Sequence, residues 1–194
     1  MIGGQTRREL LAKADIYTLG ARLLAVEIDA PLYERLAGRG LTERCDGQAL
    51  HQAIEDLAAE YCRLLIGPEP VCLPYASAHR STARLRSTSE RELERFLAEN
   101  GLQVGSIGTL RLLGHDHLAV ELAALSCLYR RVERDAAGPG DAHSDPAVRS
   151  LLLDHIAPWA PAVLHRLGAE ARCAPYTSVL PVLGSLLEED AKNC

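Results

Sequence analysis

The chain has 194 residues and 47% hydrophobic content, enough for one substantial core and too apolar for a disordered protein. Aromatic residues make up only 4%, with one Trp and one Phe, so Leu and Ala must fill the interior, a composition that favours helices over sheets. The net charge of −5, without a dense Lys/Arg run, argues against a nucleic-acid surface.

Taken in order, the chain is helical nearly throughout. Arg7 and Arg8 are followed by charged residues rather than an apolar run, so the N-terminal stretch reads as neither a secretory nor a twin-arginine export signal. No run approaches the about 18 apolar residues of a membrane span, and the expected location is the cytoplasm. Leu10, Ala14, Tyr17, Ala21, Leu24 and Ile28 step by four and three, which predicts a first helix with one buried face. Pro31 opens a short second helix that Gly38 and Gly40 end. Leu50, Ile54, Leu57, Tyr61 and Leu65 predict a third, stopping at Gly67-Pro68. Ser87-Thr88-Ser89 reads as the N-cap region of a helix carrying Leu93, Phe96 and Leu97, closed by Asn100-Gly101.

A further helix is expected to start around Asp116, with Leu118, Leu122, Leu125 and Tyr129 as its apolar stripe. Residues 133–146 carry Gly, Pro and Asp without periodicity and read as a flexible connection. Val148, Leu151, Leu152, His155 and Ile156 mark the next helix, and Val179 to Leu187 the last. The expected architecture is an all-α single bundle of about seven to nine helices. Residues 1–132 form its N-terminal part, 133–146 the connection, and 147–194 the C-terminal helices on the same core.

Chemistry concentrates at residues 115–122, His-Asp-His-Leu-Ala-Val-Glu-Leu. Asp116 is expected in the first helical turn, capping free N–H groups at the positive end of the dipole. His117 and Glu121, four apart, share a face. Such a cluster can be a capping Asp with an ordinary His–Glu pair, or the polar lip of an apolar seam that receives a ligand. His115 and His117 are two apart and diverge on a helix, so no metal site is expected. Ser77 and Ser126 lack a nucleophile elbow, and no glycine-rich phosphate loop occurs, so neither an enzyme nor a bound cofactor is indicated. The six cysteines form no C-x-x-C pair; Cys62 and Cys127 read as small core residues and Cys194 as exposed.

The Pro-rich loop Gly-Pro-Glu-Pro-Val-Cys-Leu-Pro-Tyr-Ala-Ser (67–77), followed by the Asp-His-Leu-x-x-Glu-Leu helix and by Leu-Leu-Leu-Asp-His-Ile-Ala-Pro-Trp-Ala-Pro (151–161), resembles the TorD/DmsD family of redox-enzyme maturation chaperones. The last segment is similar to that family's penultimate helix and Trp-Pro turn, with Trp159 a packing anchor. The loop here continues as Ala78-His79 and the Asp-His pair is preceded by Gly114-His115, both departures from the family pattern.

The resemblance implies a cytoplasmic chaperone, monomeric or homodimeric, that binds the twin-arginine signal peptide or apo form of a molybdopterin oxidoreductase and assists cofactor insertion before export. Its implied peptide-binding surface comprises Tyr17, Pro74, Tyr75, Ser77, Asp116, His117, Leu118 and Glu121. Asp116 and Glu121 would meet the arginines, His117 a peptide carbonyl, and Tyr75 and Leu118 the apolar part. The alternative is an all-α small-ligand-binding or regulatory module without catalysis.

Overall fold

A computed structural model describes residues 6–79, 86–103, 114–135 and 141–194. Helix α1 (Arg7–Ala25) opens with a reciprocal cap. The Glu9 N–H donates to Thr6 Oγ1 at 3.3 Å, and the Thr6 N–H donates to the Glu9 carboxylate at 2.7 Å. Helix α2 (Ala30–Gly38) is capped by Asp29, which accepts from the Leu32 N–H, and leaves through Gly40 at φ 73°. Helix α3 (Gly47–Tyr61) runs on into a π-helical turn, Cys62–Ile66, that ends where the Gly67 N–H reaches the Cys62 carbonyl.

The short α4 (Ala76–His79) follows, then α5 (Arg86–Glu99). Helix α5 starts before the Ser87-Thr88-Ser89 segment expected to cap it. Ser89 therefore lies inside the helix and is buried, next to the buried stripe of Leu93, Phe96 and Leu97. Helix α6 (Leu118–Asp135) is central. Beyond it come a 3-10 turn (Ala142–Ser144), α7 (Pro146–Ser150) with a π-helical continuation (Leu151–Ile156), α8 (Ala160–Glu170) and α9 (Tyr176–Asn193). Helices α4 and α8 have no counterpart in the sequence reading.

The expected connection at 133–146 is largely built into structure. Residues 133–135 end α6, and Asp145 caps α7 by accepting from the Ala147 and Val148 N–H groups at 2.9 and 3.0 Å. Residues 136–140 lie outside the described residues.

Helices α1 and α6 run antiparallel, as the pairs Asp15–Arg130 and Thr18–Ser126 show. Gly20 brings a third helix against this seam: a Cβ there would sit 2.4 Å from Leu183 of α9 and 3.3 Å from Leu122 of α6. The α8–α9 contact likewise depends on Gly168, whose missing Cβ leaves room for the Pro181 ring. One hydrophobic cluster joins residues of every long helix, including Leu10, Leu57, Leu93, Leu125, Leu164 and Leu187. The cysteines are free. Cys127 is exposed and Cys62 and Cys194 are partly buried, whereas Cys72 is the buried one. The α6 stripe explains Cys127: it lies off the Leu122–Leu125–Tyr129 face that α1 covers.

Candidate functional site at the Tyr75–His117 junction

The Pro-Tyr loop and the start of α6 are joined by backbone. Tyr75 and His117 form an isolated antiparallel bridge: the Leu118 N–H donates to the Pro74 carbonyl at 2.8 Å and the Ala76 N–H to the Asp116 carbonyl at 2.9 Å. The Tyr75 and His117 rings meet edge to face at 4.7 Å. Pro74 suits this place because it leaves its carbonyl free to accept and holds Leu73 extended.

Asp116 does not lie in the first turn of its own helix. It sits two residues before α6, and its carboxylate accepts from the Ser77 N–H at 3.1 Å, capping α4 across 39 residues of sequence. His117 occupies the cap position of α6 instead. Its carbonyl accepts from the Val120 N–H at 2.8 Å and its Nδ1 from the Ala119 N–H at 3.0 Å. An accepting Nδ1 fixes the neutral tautomer with the proton on Nε2. Burial acts in the same sense and lowers the His117 pKa to about 4, against the opposing pull of Asp116. His117 is thus an uncharged hydrogen-bond donor at neutral pH.

Five of the eight residues expected to bind peptide are buried here: Pro74, Asp116, His117, Leu118 and Glu121. Tyr75 and Ser77 keep partial exposure. Tyr17 lies elsewhere. Its hydroxyl donates to Asp190, and its ring packs edge-on against Tyr129, eleven residues and roughly 16 Å along α6 from Leu118.

The accessible rim of the junction is made by Leu73, Tyr75, Ser77, His115 and Glu90. Glu90 was not read from the sequence as a site residue. It lies beside Gly114 at the junction: a Cβ there would come within 3.1 Å of Asp116 Oδ1 and make an ordinary contact, 3.4 Å, with Glu90 Oε1. The Glu90 carboxylate stands 3.9 Å from His115 Nδ1 and remains about half exposed. Behind the loop, His79 stacks on Trp159 at 5.4 Å and holds the Leu73 carbonyl at 2.6 Å, so Trp159 anchors the loop by packing.

A second acid–histidine cluster was also missed. The fully buried Asp190 carboxylate receives Lys13, the Tyr17 hydroxyl, the Tyr129 hydroxyl at 2.6 Å and His143 Nε2 at 3.2 Å. Burial works against its charge, but donors from His143, Lys13, Tyr129 and Tyr17 outweigh it and bring its pKa to about 2. The one sequence signal was its register. Leu183, Leu187 and Asp190 fall on a single helical stripe, though Asp190 sits in an acidic run that reads as solvated. Among the described residues, no three potential ligands converge on a point where a metal could sit.

The family model of the nitrate reductase delta subunit matches residues 29–165, a span that includes both halves of the junction. The chain belongs to that family. It is a family of redox-enzyme maturation chaperones rather than catalysts, as the ordered motifs implied. A crystal structure described as that of a candidate redox enzyme maturation protein from Archaeoglobus fulgidus has the same fold. The TM-score is 0.50 at 16% identity, over 93% of each chain. No curated protein matches the sequence. The all-helical architecture expected from composition and periodicity is therefore the fold of this family, and no helix among the described residues is long and apolar enough to cross a membrane.

Proposed function

We propose that this maturation chaperone acts in the cytoplasm on a molybdopterin oxidoreductase precursor, holding its twin-arginine leader at the Tyr75–His117 junction until the cofactor has been inserted. The observation that carries the reading is the junction itself. Two motifs some forty residues apart in sequence are tied by paired backbone hydrogen bonds, and their rim is apolar and acidic together.

The residues divide their work. Leu73 and Tyr75 offer apolar contact to the leader's hydrophobic stretch, and Ser77 a hydroxyl. The half-exposed Glu90 carboxylate is the accessible partner for arginine, where a guanidinium gains a charge-assisted bond. Asp116, His117 and Leu118 set the loop's position from beneath, through the Ser77 cap, the Tyr75 ring contact and the Pro74 carbonyl. A neutral His117 suits a cationic ligand better than an imidazolium would, because it adds no repulsion. Ordering a flexible leader costs free energy on binding, so affinity should be modest and release straightforward.

The test is capture of tagged protein from its native host grown with molybdoenzymes expressed, followed by mass spectrometry. Recovery of one oxidoreductase precursor, lost when its leader is deleted, is the expected result. If the protein comes back alone although the precursor is demonstrably present, the proposal fails.

A further inference from the structure

On a chain of net charge −5, one groove carries the opposite sign. It runs between α1 and α2 with a volume of about 540 Å³, and its apolar floor is formed by Ile16, Leu19, Leu32 and Leu41. Arg35 and Arg39 stand exposed on the α2 side, and neither forms an ion pair among the described residues. The acidic group at the edge, Asp15, is already paired with Arg130 at 2.5 Å. The third arginine, Arg22, is spent on the carbonyls of Val26 and Glu27 and on Asp29. The groove therefore presents leucine and isoleucine flanked by two uncommitted guanidiniums.

This surface opposes a twin-arginine leader, since arginine would meet arginine, and Asp15, the one carboxylate among the described lining residues, is paired with Arg130. It also opens on the outer side of α1, away from the Ala14–Tyr17–Ala21 face buried against α6. Its lining runs from Ala12 to Arg22 along α1, roughly 15 Å of helix, which suits an elongated segment better than a compact ligand.

We propose that the α1–α2 groove docks an acidic amphipathic helix from the mature part of the redox-enzyme client, separately from its leader. Leucine-like side chains at i, i+3 and i+4 fill the Ile16–Leu19–Leu32–Leu41 floor, and carboxylates on the flanks meet Arg35 and Arg39 in forked geometry. The identity of the partner rests on the chaperone reading; the chemistry of the groove does not. Two contacts of opposite sign, an acidic rim for the leader and a basic groove for the mature chain, would fix the client's polarity on the chaperone.

The experiment uses the full chain and two fluorescein-labelled helical peptides of about 15 residues, one with leucines flanked by glutamates, the other with lysines replacing the glutamates. Anisotropy should show the glutamate peptide bound, with affinity falling at least about tenfold in the double variant R35E/R39E and falling with salt. The lysine peptide should show the reverse preference. Equal binding of both peptides, or an unchanged affinity in R35E/R39E, would overturn the proposal. A photoreactive residue at Leu41 then reads the natural occupant in the captured precursor. Crosslinks to the mature chain, kept when the leader is deleted, support the assignment, while crosslinks only to a second copy of this chain contradict it. Loss of leader capture alone, with peptide binding intact, would sink the leader reading and leave the groove standing.

Discussion

The two buried acid–histidine clusters of this protein use the same residue types for different ends. At the Tyr75–His117 junction the acid and the histidine each cap a helix start, Asp116 that of α4 and His117 that of α6, and the imidazole accepts a backbone N–H. At Asp190 one carboxylate of α9 gathers four side-chain donors, two from α1, one from α6 and one from the 3-10 turn. The first cluster positions a partly exposed loop. The second staples α1, α6 and α9 together deep in the core. Burial of an Asp–His pair thus carries no function by itself; what separates the two is whether the surrounding backbone leads to an accessible rim.

The largest effect expected from breaking this pattern is at the staple. Removing the carboxylate with Asp190→Ala leaves the partly buried Lys13 without its anion and the buried Tyr17, Tyr129 and His143 without their acceptor, and should cost on the order of 3–5 kcal/mol of unfolding free energy. Urea melts would show it. A loss below about 1 kcal/mol would mean that water or rearrangement replaces the anion.

Acid titration should separate the clusters along the pH axis. His117 titrates near 4 in the folded chain against an ordinary 6.5, so the unfolded chain binds more protons between those values. Stability is then full above about pH 6.5 and falls as pH drops toward 4, by about 3 kcal/mol. Asp190 has its pKa lowered from 3.8 to about 2, so its stabilising charge, worth about 2 kcal/mol, persists above 3.8 and is lost as pH falls through 2. His117→Gln should flatten the first window alone.

A smaller effect is expected at the interhelical contact of α8. Gly168→Ala would drive a methyl to 2.5 Å from the rigid Pro181 ring and should destabilise by about 1–3 kcal/mol. Smallest is Gly114→Ala, where the added methyl crowds Asp116 and touches Glu90 at the rim. It should shift thermal stability little and weaken client capture more, which distinguishes a rim contact from a staple.

Much of this was legible in the residues. The stripes of α1, α3 and α6 follow from period alone, and the Pro-Tyr and Asp-His segments meet as their order suggested. What was not legible shares one cause, dependence on partners distant in sequence. Helix α4 has four residues, and Asp116 caps it from 39 positions away. Helix α8 was hidden because Pro161 and Gly168 interrupt its pattern, although Pro belongs in a first turn and Gly168 is there to admit Pro181. Tyr17 read correctly as a buried stripe residue, but its hydroxyl turns to Asp190, which no local pattern announces. Glu90 becomes a rim residue only because the fold sets α5 beside Gly114 and His115, about 25 residues further along the chain.

The central claim, that the client is held at the Tyr75–His117 rim, is tested most directly by titrating the captured precursor's leader peptide against Tyr75→Ala, Glu90→Gln and Tyr129→Phe, each with its thermal melt. The account predicts that Tyr75→Ala and Glu90→Gln lose leader affinity with little change in melting temperature. Tyr129→Phe should lower the melting temperature and leave affinity intact. Undiminished leader binding by folded Tyr75→Ala and Glu90→Gln would contradict it.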